Sequence, residues 1–304
     1  MIELIATAES VSQAESLLEA GVDTIYVGQD QFGLRLPASF SSQELKETSE
    51  LARNKQKRVC VAVNALMHND RIDKVPSFLT YLQEIGVDAI TVGDPGVVHL
   101  LRKYNITIPY IYDAQTLVTS SRQINFWAKR GSAGAVLARE ITFEELRDIS
   151  RQITVPVEVL VYGATCIHHS KRSLVENYFN FTEGEIPGNK ELFISEPKKP
   201  ESHYSIYEDI NGTHVFAMND INLAPHLKRL VDHGLTQWKL DGVLTPGSDF
   251  VEIAKIFVEA KNAFLNGIWT EDLKEQLNQQ LISLHPKERG LDEGFFLKNP
   301  EDVQ

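Results

Sequence analysis

A chain of 304 residues, 42% apolar and 24% charged, fits one large α/β barrel or two ordinary domains with a buried core. Its formal net charge of −12 excludes a protein that grips polyanions over its whole surface, so a nucleic acid would have to be met at a segregated patch or with a partner's help. Two cysteines are too few for a disulfide framework or a four-cysteine metal site, and neither a secretory leader nor a run of about 18 apolar residues is present, so the expected location is cytoplasmic.

Short β-branched runs alternate with longer amphipathic stretches. The runs are ELIATA from Glu3, TIYVG from Thr24, VCVAVNA from Val59, AITVGD from Ala89, IPYIYDAQ from Ile108, AVLARE from Ala135, VEVLVYGA from Val157 and QWKLDGV from Gln237. Between them, AESLLEAG from Ala14, FLTYLQEIG from Phe78, INFWAKRG from Ile124 and HLKRLVDHG from His226 show helical spacing and end in Gly, a frequent C-cap. Eight strand–helix units predict an α/β fold, a closed (β/α)₈ TIM-like barrel, with a doubly wound sheet as the alternative.

One interval breaks the rhythm. Roughly 75 residues separate Val161 from Trp238, where a βα loop has about 2–6. A long insertion after strand 7, about 166–215, is therefore expected over the barrel mouth. It contains the polar stretch TEGEIPGNK, and its aromatics Tyr178, Phe179, Phe181, Phe193, Tyr204 and Tyr207 need a surface to pack on. The barrel with its insertion is expected to occupy 1–268, and 269–304 to form a C-terminal helix and tail packed on it.

Barrels of this kind work through the loops after their strands. Strand 3 ends in Asn64, strand 4 in Asp94, strand 5 in Asp113 and Gln115, and strand 6 in Arg139 and Glu140. Strand 7 runs through Tyr162 to Cys166, and strand 8 carries Lys239 and Asp241. A convergent polar pocket is predicted. Its candidate catalytic groups are Glu140, Tyr162, Cys166, Lys239 and Asp241. Its candidate substrate-binding groups are Arg35, Asn64, Asp94, Gln115, Arg139 and Arg172. Rim ion pairs Arg139–Glu140 and Lys239–Asp241 are the purely structural alternative.

The densest reactive cluster is CIHHSKRS. Cys166, His168 and His169 could hold a single soft metal ion, although adjacent histidines on a strand point to opposite faces, so both would ligate only where the segment turns. Cys60, in VCVAV, reads as core. No HExxH, P-loop, nucleophile elbow or dinucleotide fingerprint is present.

The segments YVGQDQFGLRLPASF from Tyr26, VAVNAL from Val61, LAREITFEEL from Leu137, EVLVYGATCIHHSKRSLVENYF from Glu158, NDINLAPHLKRLVDHG from Asn219 and WKLDGVL from Trp238 resemble peptidase family U32, in the family's order and over nearly the whole chain. The closing ERGLDEGFFLK resembles its short members. The resemblance implies a component of tRNA wobble-uridine 5-hydroxylation, with prephenate as co-substrate, tRNA and a longer U32 paralogue as partners, and no membrane. A collagenase-like peptidase and a non-catalytic scaffold are the alternatives. Several members hold an iron–sulfur cluster through four cysteines. Here the first position falls on Cys166, the second on Ser173 after Arg172, and no cysteine follows, so a complete cluster is not expected in this chain alone. The family's KIEGR reads KLDGV, with Val243 at the arginine position. The cations available for tRNA are Lys171, Arg172, Lys198 and Lys199.

Overall fold

Eight parallel strands close on themselves in the computed structural model, which describes residues 1–186 and 192–303. In chain order the first seven are β1 (Glu3–Thr7), β2 (Thr24–Gly28), β3 (Arg58–Val63), β4 (Ala89–Val92), β5 (Tyr110–Tyr112), β6 (Ser132–Val136) and β7 (Val157–Gly163). An excursion follows, made of β8 (Cys166–Ser170), β9 (Leu192–Glu196), β10 (Lys199–Asp209) and β11 (Gly212–Phe216). Then come β12 (Asn219–Asn222), the eighth barrel strand β13 (Gln237–Asp241), and β14 (Gly290–Asp292) near the end of the chain. β13 pairs in parallel with both β1 and β7, which closes the ring and excludes the open sheet.

Burial on both faces explains the strand compositions. Every residue of β2 and β7 is buried, as expected where one face fills the barrel and the other meets helices. The surrounding helices start and stop where their caps dictate. Helix Ser42–Asn54 opens with a Ser41–Glu44 capping box, and helix Val11–Ala20 ends at Gly21, whose φ of 111° suits a residue without a Cβ. The helix Gly247–Leu265 buries Phe250, Ile253, Ala254 and Phe257, a stripe at helical spacing turned to the core.

β7 and β13 approach so closely at their ends that a Cβ on Gly163 (φ 124°) would lie 2.2 Å from the Asp241 carbonyl oxygen. A glycine there lets the chain leave the barrel while keeping the pair intact.

The excursion forms an antiparallel sheet in the order β8-β11-β10-β9. Residues 187–191, within the TEGEIPGNK stretch, lie outside the described residues. The sheet crosses the mouth from β7, and the tip of its β10–β11 hairpin reaches the β2 and β3 side. There Arg71 donates to Asn211 Oδ1 and Ile210 O, both at 2.5 Å. Asn211 Nδ2 in turn donates to the carbonyls of Asp30 (2.9 Å) and Gly33 (3.2 Å). In a ring of eight, strands seven and three are opposite, so the sheet spans the opening as a roof.

The helix Glu271–Leu284 and the tail return to the excursion's base. β12 pairs antiparallel with the end of β7, and β14 pairs with β12. Arg289 ties these parts together. It donates to Asp220 Oδ1 through Nε (2.9 Å) and Nη2 (2.5 Å), to Ser205 Oγ of β10 (2.7 Å) and to Ala217 O (2.8 Å). This gives the closing ERGLDEGFF pattern a structural meaning. No helix among the described residues is long and apolar enough to cross a membrane.

Candidate functional site

Under the roof, at the carboxyl ends of the strands, lies a cavity of about 480 Å³, within the range of small-ligand sites. Arg35, Asn64, Gln115, Arg139, Glu140, Cys166, His168, His169, Lys239 and Asp241 all line it. They come from five barrel strands and the roof, which is the convergence that strand-end position alone implied.

One wall is a buried polar network. Lys239 Nζ sits 3.1 Å from the centre of the Tyr26 ring, a cation–π contact, and 3.7 Å from Glu158 Oε2. Lys239 is 6% exposed and Glu158 1% exposed, so each charge depends on the other. Burial, reinforced by Asp113 and only partly offset by Lys239, pushes the Glu158 carboxyl up to about 7. Asn64 Nδ2 donates to Asp113 Oδ2 at 2.6 Å and to Tyr26 Oη at 3.3 Å, while Asn64 Oδ1 accepts from Leu34 N. Asp113 Oδ1 accepts from Gln115 Nε2 at 2.8 Å.

Gln115 Oε1 accepts from Arg35 Nη2, and both residues stand in left-handed backbone, at φ 57° and 52°. Two non-glycine residues in this region, joined at one cavity, are the kind of strain that collects at binding sites. Arg35 pairs with no carboxylate among the described residues. Arg139 does, with Asp241 Oδ2 at 2.9 Å. The expected Arg139–Glu140 and Lys239–Asp241 rim pairs are thus replaced by Arg139–Asp241 and Lys239–Glu158.

Three expected site residues lie elsewhere. Tyr162 is fully buried on the outer face of β7, its hydroxyl on Thr245 Oγ1 (3.0 Å) and His285 Nδ1 (2.9 Å), so it joins barrel to tail rather than acting on a ligand. Asp94 is the N-cap of helix Pro95–Lys103, accepting from Gly96 N at 2.6 Å and from Met67 N at 3.1 Å. Asp94→Ala should cost about 1–2 kcal/mol in urea unfolding, the usual value of a lost cap. Arg172 is exposed in the turn after β8 and does not line the cavity.

The expected Cys166–His168–His169 metal site is not assembled either. His169 Nε2 bonds Asn211 O at 3.0 Å and its ring stacks on His214, while Cys166 Sγ donates to His168 O. No group of three or more His, Cys, Asp or Glu arranged to hold a metal ion occurs among the described residues. Nor does a four-thiolate cluster fit. Cys60 is 2% exposed in the barrel wall, burial pushes its thiol well up, and Ser173 begins a helix.

Sequence reasoning missed Tyr26, Glu158, His214 and Asp209. Tyr26 and Glu158 look like ordinary members of buried strands. The signal for Glu158 was a carboxylate in an otherwise apolar run.

Residues 9–304 match the profile of peptidase family U32. The chain belongs to that family. It is 34% identical to the Bacillus subtilis tRNA hydroxylation protein P2, over 97% of each chain. It is also 25% identical to an Escherichia coli 23S rRNA 5-hydroxycytidine synthase, over 79% of this chain and 36% of that one. The solved structure of a U32 peptidase superposes with a TM-score of 0.52 at 15% identity, covering 79% of this chain and 92% of that one, which supports the fold alone. The segment from Glu158 to Cys166 thus contributes Cys166 to the cavity lining and, behind it, Glu158 as the buried partner of Lys239.

Proposed function

We propose that this U32 protein is a component of tRNA hydroxylation, placing oxygen on C5 of the wobble uridine, with prephenate as co-substrate. The observation that carries this reading is Arg35, a cation at the cavity mouth with no carboxylate partner among the described residues. Such a guanidinium suits the carboxylates of a small diacid, which it can grip through two parallel bonds. The half-buried amide of Gln115 and the cation of Lys239 offer donors to the carbonyl edges of a pyrimidine. An anticodon base is already unstacked enough to be splayed into such a site. The names of the two nucleic-acid-modifying relatives support the same class of chemistry.

A longer, cluster-bearing U32 paralogue would supply what this chain lacks. This chain's net charge is −12, and its exposed Lys171, Arg172, Lys198 and Lys199 make only a modest basic face. The cytoplasm is the matching location. Deleting the gene, with any redundant pathway also removed, should abolish 5-hydroxyuridine-derived nucleosides in tRNA digests weighed by mass spectrometry. Unchanged levels would reject the function.

A further inference from the structure

We propose that Cys166, His214 and Asp209 form a nucleophilic array whose sulfur adds reversibly to C6 of the pyrimidine held under the roof, which rests on the pyrimidine reading above. Cys166 lines the cavity. Behind it, on the neighbouring strand β11, His214 is 0% exposed, and its Nδ1 has no hydrogen-bond partner among the described residues. An unpaired buried polar nitrogen costs about 1–3 kcal/mol, so one that persists beside a thiol has another use.

The surroundings fix which nitrogen carries the proton. His214 Nε2 lies 3.0 Å from Asp209 Oδ1, and that oxygen also accepts from Asn211 N at 2.7 Å. A carboxylate accepting twice makes Nε2 the protonated nitrogen and leaves the Nδ1 lone pair for the thiol. His169 stacks on the ring at 4.5 Å and 10°, and Tyr207 flanks it at 5.0 Å, so the imidazole cannot swing away. At rest Cys166 Sγ donates to His168 O at 3.2 Å.

The charges agree with the geometry. Burial works against the Cys166 thiolate, but the neighbouring His214 imidazole and the nearby Arg35 and Arg139 outweigh it and hold the thiol below its ordinary range. Burial likewise opposes the His214 cation, and Asp209 and the thiol together hold it above the usual imidazole range.

The step balances without an oxidant. His214 Nδ1 takes the thiol proton. The sulfur lone pair forms an S–C6 bond, and the C5=C6 pair moves through C5–C4 to make an enolate at O4, beside the cations of Arg35 and Lys239. A solvent proton can then add to C5. Loss of the original C5 proton and expulsion of the thiolate restore the base. While the adduct lasts, C5 is electron-rich, and C5 is the carbon that carries the added oxygen in 5-hydroxypyrimidines.

The test is hydrogen exchange. The full chain, alone and with the longer family member, is incubated in D₂O with an anticodon stem–loop RNA bearing uridine at the wobble position, and C5 deuteration is read by mass spectrometry. Deuteration should exceed the protein-free rate by about 10²-fold or more. It should vanish in Cys166→Ser and fall at least about tenfold in His214→Asn, while Cys60→Ala retains it. Alkylation of Cys166 by iodoacetamide at neutral pH should also slow about tenfold in His214→Asn, a readout that folding alone would not move. Wild-type protein without exchange, or exchange that survives Cys166→Ser, overturns the array. Gelatin cleavage lost in Cys166→Ala, without exchange, reassigns the thiol to amide hydrolysis and overturns it too. Loss of 5-hydroxyuridine on gene deletion is read separately, so failure of the array and failure of the tRNA reading are distinguishable.

Discussion

Arg289→Leu should destabilise the protein by about 3–5 kcal/mol, the usual cost of leaving one member of a buried ion pair alone. The reason lies in what it leaves behind. Asp220 is 0% exposed, its Oδ1 takes both bonds from Arg289, and its Oδ2 has no partner among the described residues. Burial already holds this carboxyl above its ordinary range despite the adjacent guanidinium. Without Arg289 a buried charge stands alone, and the tail, β10 and the Ala217 turn lose their common tie. Thermal unfolding should shift down by roughly 6–15 °C. Arg289→Lys should recover only part of this, since an ammonium cannot make the fork. Adding Asp220→Asn to Arg289→Leu should restore stability relative to the single variant. A loss below about 1 kcal/mol would mean that Asp220 is neutral in the native state.

Lys239→Met should remove about 10²-fold or more of the proposed hydroxylation while changing stability in a pH-dependent way. Its partner Glu158 sets the sign. The carboxyl moves from an ordinary 4.5 to about 7, chiefly by burial, then by Asp113, with Lys239 opposing. Between those values the folded state holds more protons than the unfolded one, so stability is greatest below pH 4.5 and is lost as pH rises through 7. The shift corresponds to about 3 kcal/mol at most. Glu158→Gln should flatten this slope in urea unfolding measured at pH 5 and pH 8. Lys239→Met pushes Glu158 further up, so its penalty should be small at pH 5 and about 3 kcal/mol at pH 8. Pairing Lys239→Met with Glu158→Gln should recover the stability but not the hydroxylation. Equal penalties at both pH values would show that Glu158 does not titrate in this range.

The eight-strand ring was readable because burial on both faces writes each strand as an apolar run and each crossover as a Gly-terminated amphipathic stretch. The β7-to-β13 interval announced itself by length. Its four-stranded sheet did not, since residues such as Lys199 and Glu201 alternate on a two-sided, largely exposed surface and carry no core signal. In the site, strand-end position placed Asn64, Arg139, Cys166 and Lys239 at one cavity. It misplaced Tyr162 and Asp94, because a strand end has an outward face as well as an inward one, and because an acid before Pro-Gly caps a helix as readily as it binds a ligand. Asp209 and His214 were invisible for a different reason. They follow Cys166 by more than forty positions, and only hairpin pairing brings them back to it.

The far edge of the roof is fastened at a point, not along a seam. Among the described residues, three of its hydrogen-bonded ties run through the side-chain amide of Asn211 and the fourth through the preceding carbonyl, while the near edge is continuous chain. A seam would resist lifting, sliding and twisting alike. A point fastening resists lifting and leaves rotation about the pin comparatively soft. Pitching of the roof about this pin would leave the drum below undisturbed, so the fit around a bound ligand and the rigidity of the chemical floor would be set by different parts of the same chain.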